Sequence, residues 1–234
     1  MASITTTASV ETAKALLAGN GRPDQTALDF ATRLRRARLG IIVALTAVVM
    51  IFVSYSSAYV VRQGLPTLDP RTGTLVRDWL PLQLPNFLLV NTLVLLISTL
   101  TMELARRQAF RAAVATGKES SPAQSIDTDG MPWLALTAIL GLSFLAGQWL
   151  VWSELAASGF YVSTSPSSSF FYLLTGMHGI HLFGGIIALL AAGAASILRK
   201  SAASRAVVLD ATAWYWHFMT VLWVYILCLL EFAR

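Results

Sequence analysis

The side chains best suited to chemistry in this 234-residue sequence are its three histidines, His178, His181 and His217. His178 and His181 are three positions apart, so they share one face of a helix. At about 1.5 Å of rise per residue, His181 and His217 each lie roughly 16 Å inside an apolar segment, at similar depths in a bilayer core of about 30 Å. Such a pair could hold a haem between two helices, or the imidazoles could hydrogen-bond across helices. We expect hydrogen bonding, because aromatic residues crowd His217 and nothing supplies a second shell for a metal.

The histidines lie in two of five apolar segments, each of them near the roughly 20 residues that a membrane-spanning helix needs. The predicted spans are residues 39–61, 84–102, 133–152, 170–198 and 206–232. The sequence therefore predicts a polar N-terminal segment at residues 1–34, disordered or in part a short surface helix, and a membrane domain at residues 35–234.

The composition is that of a membrane protein, and the positions of its acidic residues argue against a transporter. Hydrophobic residues make up 56% of the chain and charged residues 12%, about half the charged share of a soluble domain. The 12 acidic residues all lie in the tail, the loops or the ends of spans. A pump or transporter usually keeps a charged relay within the membrane, so a small transporter is disfavoured. We expect an all-α, polytopic membrane protein with no catalytic residue and no metal site of its own.

Basic residues predict the orientation. Thirteen of the 17 lysines and arginines fall in the N-terminal segment, the second loop and the fourth loop, which are all on one side of the membrane. Because positive residues accumulate on the cytoplasmic side, we expect the N-terminus in the cytoplasm and the C-terminus outside.

Four stretches resemble one protein family. They read SSFFYLLTGMHGIHLFGGIIAL, WYWHFMTVLWVYIL, NTLVLLISTLTMELARR and GLSFLAGQW. Together, over about residues 38–232, they resemble subunit III of the haem–copper terminal oxidases. The full form of that subunit has seven spans, and this sequence is similar to a short bacterial form that lacks the first two.

The resemblance implies an accessory subunit in a bacterial cytoplasmic membrane. It would carry no cofactor of its own, pack against oxidase subunit I and subunit II, which hold haem and copper, and bind phospholipid rather than nucleic acid. The complex would reduce O2 with electrons from cytochrome c and pump protons. Subunits III of quinol oxidases and accessory proteins of nitric oxide reductases are similar enough to stay open as interpretations, as does a b-type cytochrome with a haem on His181 and His217. The family motif implies interhelical bonding and packing for His178, His181, Tyr215, Trp216 and His217.

Further polar residues carry expectations of their own. Gln148 lies among apolar residues and needs an interhelical partner. Arg106 and Arg107 mark where a helix leaves the membrane, and they could instead bind a lipid phosphate. The sequence departs from the family where acids are usual, because Val48, Val151 and Thr220 stand at those positions. Any support of proton uptake by a buried carboxylate is therefore in doubt, and a role as scaffold and lipid-packing subunit is what we expect.

Overall fold

The computed structural model describes residues 22–68, 71–79, 85–116, 131–198 and 201–232, with the backbone alone at 22–27 and 115–116. Five helices account for most of them. In chain order they are α1 (Arg22–Gly64), α2 (Phe87–Thr116), α3 (Met131–Ala157), α4 (Pro166–Ile197) and α5 (Ala202–Phe232). Each is long and apolar enough to cross a membrane. The expected all-α fold with five membrane helices is confirmed.

Each predicted span falls on one helix, and the helices run beyond the apolar residues. α2 begins at Phe87 rather than at residue 84 and continues to Thr116, because the leucine, arginine, glutamine and alanine residues after the apolar run favour a helix. α1 has 43 residues, a length of about 65 Å. Its first turns occupy residues 22–34, within the segment expected to be disordered or in part a short helix, while residues 1–21 lie outside the described part of the chain.

The start of α4 shows how the sequence sets a helix boundary. Ser165 has an extended backbone, and its hydroxyl accepts a hydrogen bond from the backbone N–H of Ser168. The Ser168 hydroxyl in turn accepts a hydrogen bond from the backbone N–H of Ser165, and Pro166 occupies the first helical position. This reciprocal capping satisfies N–H groups that the first turn of a helix leaves without partners.

Four of the helices form a ring. α2 packs against α3, α3 against α4, α4 against α5, and α5 returns to α2. α1 lies outside this ring, against α4 and α5. We call the end of the bundle where α1 and α5 begin and α2 ends the arginine end, after Arg38 and Arg106, and the opposite end the hairpin end.

A two-stranded hairpin, which the sequence did not predict, lies between α1 and α2. β1 (Thr67–Leu68) pairs antiparallel with β2 (Leu75–Val76), and Gly73 between them has a φ of 65°, which glycine adopts without steric cost. Trp79 then packs edge-on against Tyr59 of α1, with ring centroids 5.0 Å apart. The hairpin is thereby attached to the end of α1.

Candidate functional site

Trp216 of α5 fills the centre of the four-helix ring. Its side chain is fully buried, and its Nε1 donates a hydrogen bond to Ser98 Oγ of α2 at 3.0 Å. A Cβ added to Gly141 of α3 would lie 2.7 Å from the Trp216 ring, and one added to Gly185 of α4 would lie 3.3 Å from it. These two glycines therefore leave room for the indole between three helices, where Trp216 packs and donates its hydrogen bond.

Trp223 repeats this arrangement two turns further along α5. Its Nε1 donates to Thr92 Oγ1 of α2 at 2.9 Å. Its ring lies edge-on to Phe144 of α3, with centroids 4.9 Å apart, and against the His178 imidazole of α4 at 5.1 Å. His178 is thus enclosed by aromatic rings from two other helices.

Polar contacts follow the whole α2–α5 interface from the hairpin end to the arginine end. In order they join Thr92 to Trp223, Ser98 to Trp216, Thr99 to Thr220, Glu103 to His217 and Arg106 to Asp210. The first contact along α2 is made by the highest α5 position, Trp223, and the last by the lowest, Asp210, so the two helices are antiparallel. Hydrogen bonds between membrane helices hold them in register where no water drives association.

His178 and Gln148 are buried without the interhelical hydrogen bonds expected of them. His178 is 0% exposed and Gln148 is 3% exposed. Within the described residues, no group lies in hydrogen-bond range of either ring nitrogen of His178 or of the side-chain oxygen and nitrogen of Gln148. His178 packs on aromatic rings instead.

His181 bonds within its own helix. Its Nδ1 lies 2.7 Å from the Met177 carbonyl oxygen, and its ring stands edge-on to Phe52 of α1 at 5.8 Å. The contact between helices at this position comes from Tyr215 of α5, whose hydroxyl donates to the His181 carbonyl at 2.8 Å.

His217 faces a different helix from His181. Its Nε2 lies 3.5 Å from Glu103 Oε2 of α2, whereas the His181 ring meets α1. The structure therefore does not bring the two imidazoles together as ligands of one haem. Across the described ranges, no group of three or more histidine, cysteine, aspartate or glutamate residues is placed to hold a metal ion.

An ionic cluster joins three helices at the arginine end. Asp210 of α5 is fully buried, and its carboxylate accepts hydrogen bonds from Arg38 of α1 at 2.7 Å and Arg106 of α2 at 3.0 Å. Arg106 also donates to Glu103 at 2.8 Å, and Glu103 binds Arg107 at the same distance. A buried carboxylate needs such partners, because an isolated charge in apolar surroundings is very costly.

The cluster gives Arg106 and Arg107 different surroundings. The Arg106 side chain is 28% exposed and is held by two carboxylates. The Arg107 side chain is 64% exposed and binds Glu103 alone among the described groups that lie within ion-pair range of it. Arg107 is therefore the freer of the two to meet a lipid phosphate.

The three positions where the resemblance implied acids hold uncharged side chains in the core. Val48 is 9% exposed and Val151 is 0% exposed, both within the main apolar cluster. Thr220 is buried and bonds to Thr99 Oγ1 at 2.7 Å. These three positions are thus occupied by apolar packing and by a hydroxyl pair.

Comparison with known proteins assigns the family. The family described as cytochrome c oxidase subunit III matches residues 29–232, which include all the contacts described above. The chain belongs to this family. The named relatives are cytochrome c oxidase subunits, which does not favour a b-type cytochrome, a quinol oxidase subunit or a nitric oxide reductase accessory protein.

Relatives from bacteria and eukaryotes share about a third of their aligned residues with this member of the subunit III family. "Probable cytochrome c oxidase subunit 3" of Mycobacterium leprae is 32% identical over 102 residues, 44% of this chain and 50% of the relative. "Cytochrome c oxidase subunit 3" of Triticum aestivum is 30% identical over 194 residues, 81% of this chain and 65% of the relative. That of Danio rerio is 30% identical over the same length, 66% of the relative. The chain thus spans about half to two thirds of the curated relatives it matches.

Sequence reasoning missed the ionic cluster. The sequence places Asp210 at the end of a span, without a partner, although Arg38 stands at the head of the first apolar run. A signal was available: a carboxylate in the third turn of one helix and an arginine at the same depth of another are candidates for a pair. The sequence does not show that α1 packs beside α5, so the pairing could not be chosen from depth alone.

Proposed function

We propose that this chain is the accessory subunit III of a respiratory cytochrome c oxidase. The family match over residues 29–232 carries this proposal. In this role, the chain supports the stability of the complex, its lipid packing and its assembly around subunit I, with subunit II as a further neighbour. The reduction of O2, the coupled proton pumping and the haem and copper belong to those partners, and this chain carries no cofactor and no active site.

The interior of the bundle supports a scaffold role. Its buried tryptophans and hydroxyls bond to neighbouring helices, and its buried carboxylate is held by two arginines. Groups bound in this way stabilise one arrangement of helices and are not free to exchange protons or hold a substrate. A rigid bundle of this kind is suited to bracing a partner.

Purification through a tag on this chain tests the proposal. We expect co-purification of haem- and copper-containing subunits that consume O2 with reduced cytochrome c, and no Soret absorbance in this chain once it is separated. Oxidation of quinol but not of cytochrome c would point to a quinol oxidase. A Soret band retained by the separated chain, or purification without any haem-containing partner, would refute the accessory role.

We further propose that a phospholipid chain lies in a groove near the arginine end. The groove has a volume of about 490 Å³ and lies between α1, α4 and α5. Small and apolar residues line it, among them Ala37, Ile41, Gly184, Ala188 and Ala211. An apolar groove open to the membrane takes an acyl chain without any polar group being buried.

The groove can be filled by mutation. Ala188→Trp places an indole in the groove, whereas Ala191→Trp adds the same side chain at an exposed position of the same helix. We expect the first variant to retain one phospholipid fewer than the wild type by native mass spectrometry, and the second to retain the wild-type number. Equal lipid numbers in all three would count against a lipid in this groove.

We also propose a bacterial cytoplasmic membrane as the location, with the arginine end in the cytoplasm. The five apolar helices make this a multi-pass membrane protein, and the excess of basic residues at the arginine end supports the orientation. Labelling of single cysteines introduced at the two ends, in intact cells, would reveal the reverse orientation if it occurs.

A further inference from the structure

The described residues offer no hydrogen-bond partner to the buried side chains of His178 and Gln148. Together the two side chains bring four polar atoms into the core, and none of these atoms has a hydrogen-bond partner among the described residues. A buried polar group without a partner carries its full desolvation cost. Native structures rarely leave such groups unsatisfied, and ordered water is a common partner where the protein offers none. We call these two residues the unpartnered pair.

The unpartnered pair meets across the α3–α4 interface. On its hairpin side, Trp152 Nε1 of α3 donates to Thr175 Oγ1 of α4 at 3.1 Å. On its other side, the Phe144 ring of α3 stands edge-on to the His178 ring, with centroids 6.0 Å apart. Gln148 lies four residues from both Phe144 and Trp152, and His178 lies three residues from Thr175. Residues at that spacing share a helix face, so the two polar side chains point into the same layer of the interface.

The α3 and α4 helices are less tightly pressed together at this layer than α2 and α3 are at Gly147. Added carbon atoms at Gly176 and Gly179 would lie 3.7 Å and 3.9 Å from the nearest side chain, which is ordinary contact. One added at Gly147 would lie 2.3 Å from Asn91 Oδ1 of α2. The α3–α4 interface thus tolerates an added atom on either side of the unpartnered pair, whereas the α2–α3 interface does not.

The chemistry of the pair restricts what can bind. A neutral imidazole offers one donor and one acceptor, and the glutamine amide offers two donors and an oxygen acceptor. A bridging molecule must therefore both donate and accept. Because the side chains are 0% and 3% exposed, a lipid headgroup or a side chain of a partner subunit cannot reach them. The molecule must be small enough to be enclosed within the bundle.

We propose that His178 and Gln148 together bind internal water between α3 and α4. A buried water typically makes about three hydrogen bonds, so about one or two molecules suffice to bridge the imidazole and the amide. The water completes the hydrogen bonding of the interface and fixes the tautomer of the imidazole. This site is internal to the chain and does not depend on which oxidase the chain joins.

A density map of the assembled complex, at a resolution that shows ordered water, is the direct test. We expect a peak about 2.7–3.2 Å from a ring nitrogen of His178 and from the side-chain amide of Gln148. A direct hydrogen bond between the two side chains with no peak would overturn the proposal, and so would empty space beside both.

Variants provide a second measurement. Because water bridges the pair, we expect His178→Phe and Gln148→Leu each to lower the thermal midpoint of the chain by about 3 °C or more. The double variant should lose clearly less than the sum of the single losses, and its map should lack the peak. Ser143→Ala, on the exposed face of α3, is the control and should leave the thermal midpoint and the density peak unchanged. Additive losses in the double variant would contradict a shared water, and if the variants do not assemble, the wild-type map decides alone.

Discussion

Replacing Asp210 by asparagine is the most informative perturbation of this bundle. Asp210→Asn keeps the size of the side chain and removes the charge that Arg38 and Arg106 share. Arg106 retains Glu103 as a partner. Arg38 loses the one carboxylate within ion-pair range of it among the described groups. Since α1 packs mainly along α4 and α5, the main effect should fall on the attachment of α1.

The size of the effect follows from the exposure of the partners. Breaking a fully buried ion pair costs about 3–5 kcal/mol, and an exposed pair contributes about 0–1 kcal/mol. The carboxylate is 1% exposed, but the two arginine side chains are 40% and 28% exposed and can regain part of their hydration. We therefore expect a loss of about 2–3 kcal/mol, or a fall in the unfolding midpoint of about 5–10 °C.

Thermal unfolding of the purified chain in lipid nanodiscs, followed by tryptophan fluorescence, measures this loss. Asp78→Asn is the matched control, because it removes a carboxylate from an arginine pair of similar length, 2.6 Å, at the hairpin end. The midpoint of the control should stay within about 2 °C of the wild type. If the two variants shifted the midpoint equally, the idea that burial makes the Asp210 cluster important would be wrong.

A geometric readout separates loss of α1 attachment from general instability. The rings of Phe30 in α1 and Phe110 in α2 lie 6.2 Å apart. Cysteines placed at these two positions, with Cys228→Ser, should be joined readily by a short bis-maleimide cross-linker in the wild-type background and poorly with Asp210→Asn. Equal cross-linking in the wild-type and Asp210→Asn backgrounds would show that α1 is held by its apolar contacts alone.

Three other perturbations follow from the packing and the charges. Gly141→Ala forces a carbon to 2.7 Å from the Trp216 ring and should cost about 1–3 kcal/mol by the same unfolding assay, whereas Gly179→Ala, with its nearest contact at 3.9 Å, should not destabilise the chain. Val48→Glu buries a carboxyl in the apolar core and should reduce the yield of folded chain, whereas a wild-type yield would show that the site accommodates a carboxyl. Hydrogen bonding from arginine holds the pKa of Asp78 below its ordinary value of 3.8. The hairpin should therefore be protected from hydrogen exchange above that pH and lose protection as the pH falls below it, and pH-independent exchange would contradict this.

Much of the architecture could be predicted from the sequence because hydropathy is a local property. A run of about 20 apolar residues must become a helix in a membrane, since no other partner satisfies its backbone. That reasoning placed all five spans on the five helices. The helix ends were less well predicted, because the extensions of α1 and α2 beyond the apolar runs depend on helix propensity and contacts outside the bilayer core.

The contacts of the site could be predicted only in part. The sequence gives the depth of a residue along its helix, and it therefore puts His181 and His217 at similar depths. It does not give the direction in which each side chain points, which depends on how the helices pack. The structure turns His217 towards Glu103 and His181 towards its own backbone and Phe52.

The sequence by itself determined that this is a five-helix membrane protein with the motifs of the subunit III family, because spans and motifs are properties of contiguous residues. Only the tertiary structure decided that Trp216 occupies the centre of the ring, that Asp210 joins three helices, and that His178 and Gln148 are buried without partners among the described residues. The physical reason is that these outcomes depend on which helices are neighbours and on their rotation. Both are decided by side-chain packing between residues more than 25 positions apart in the chain.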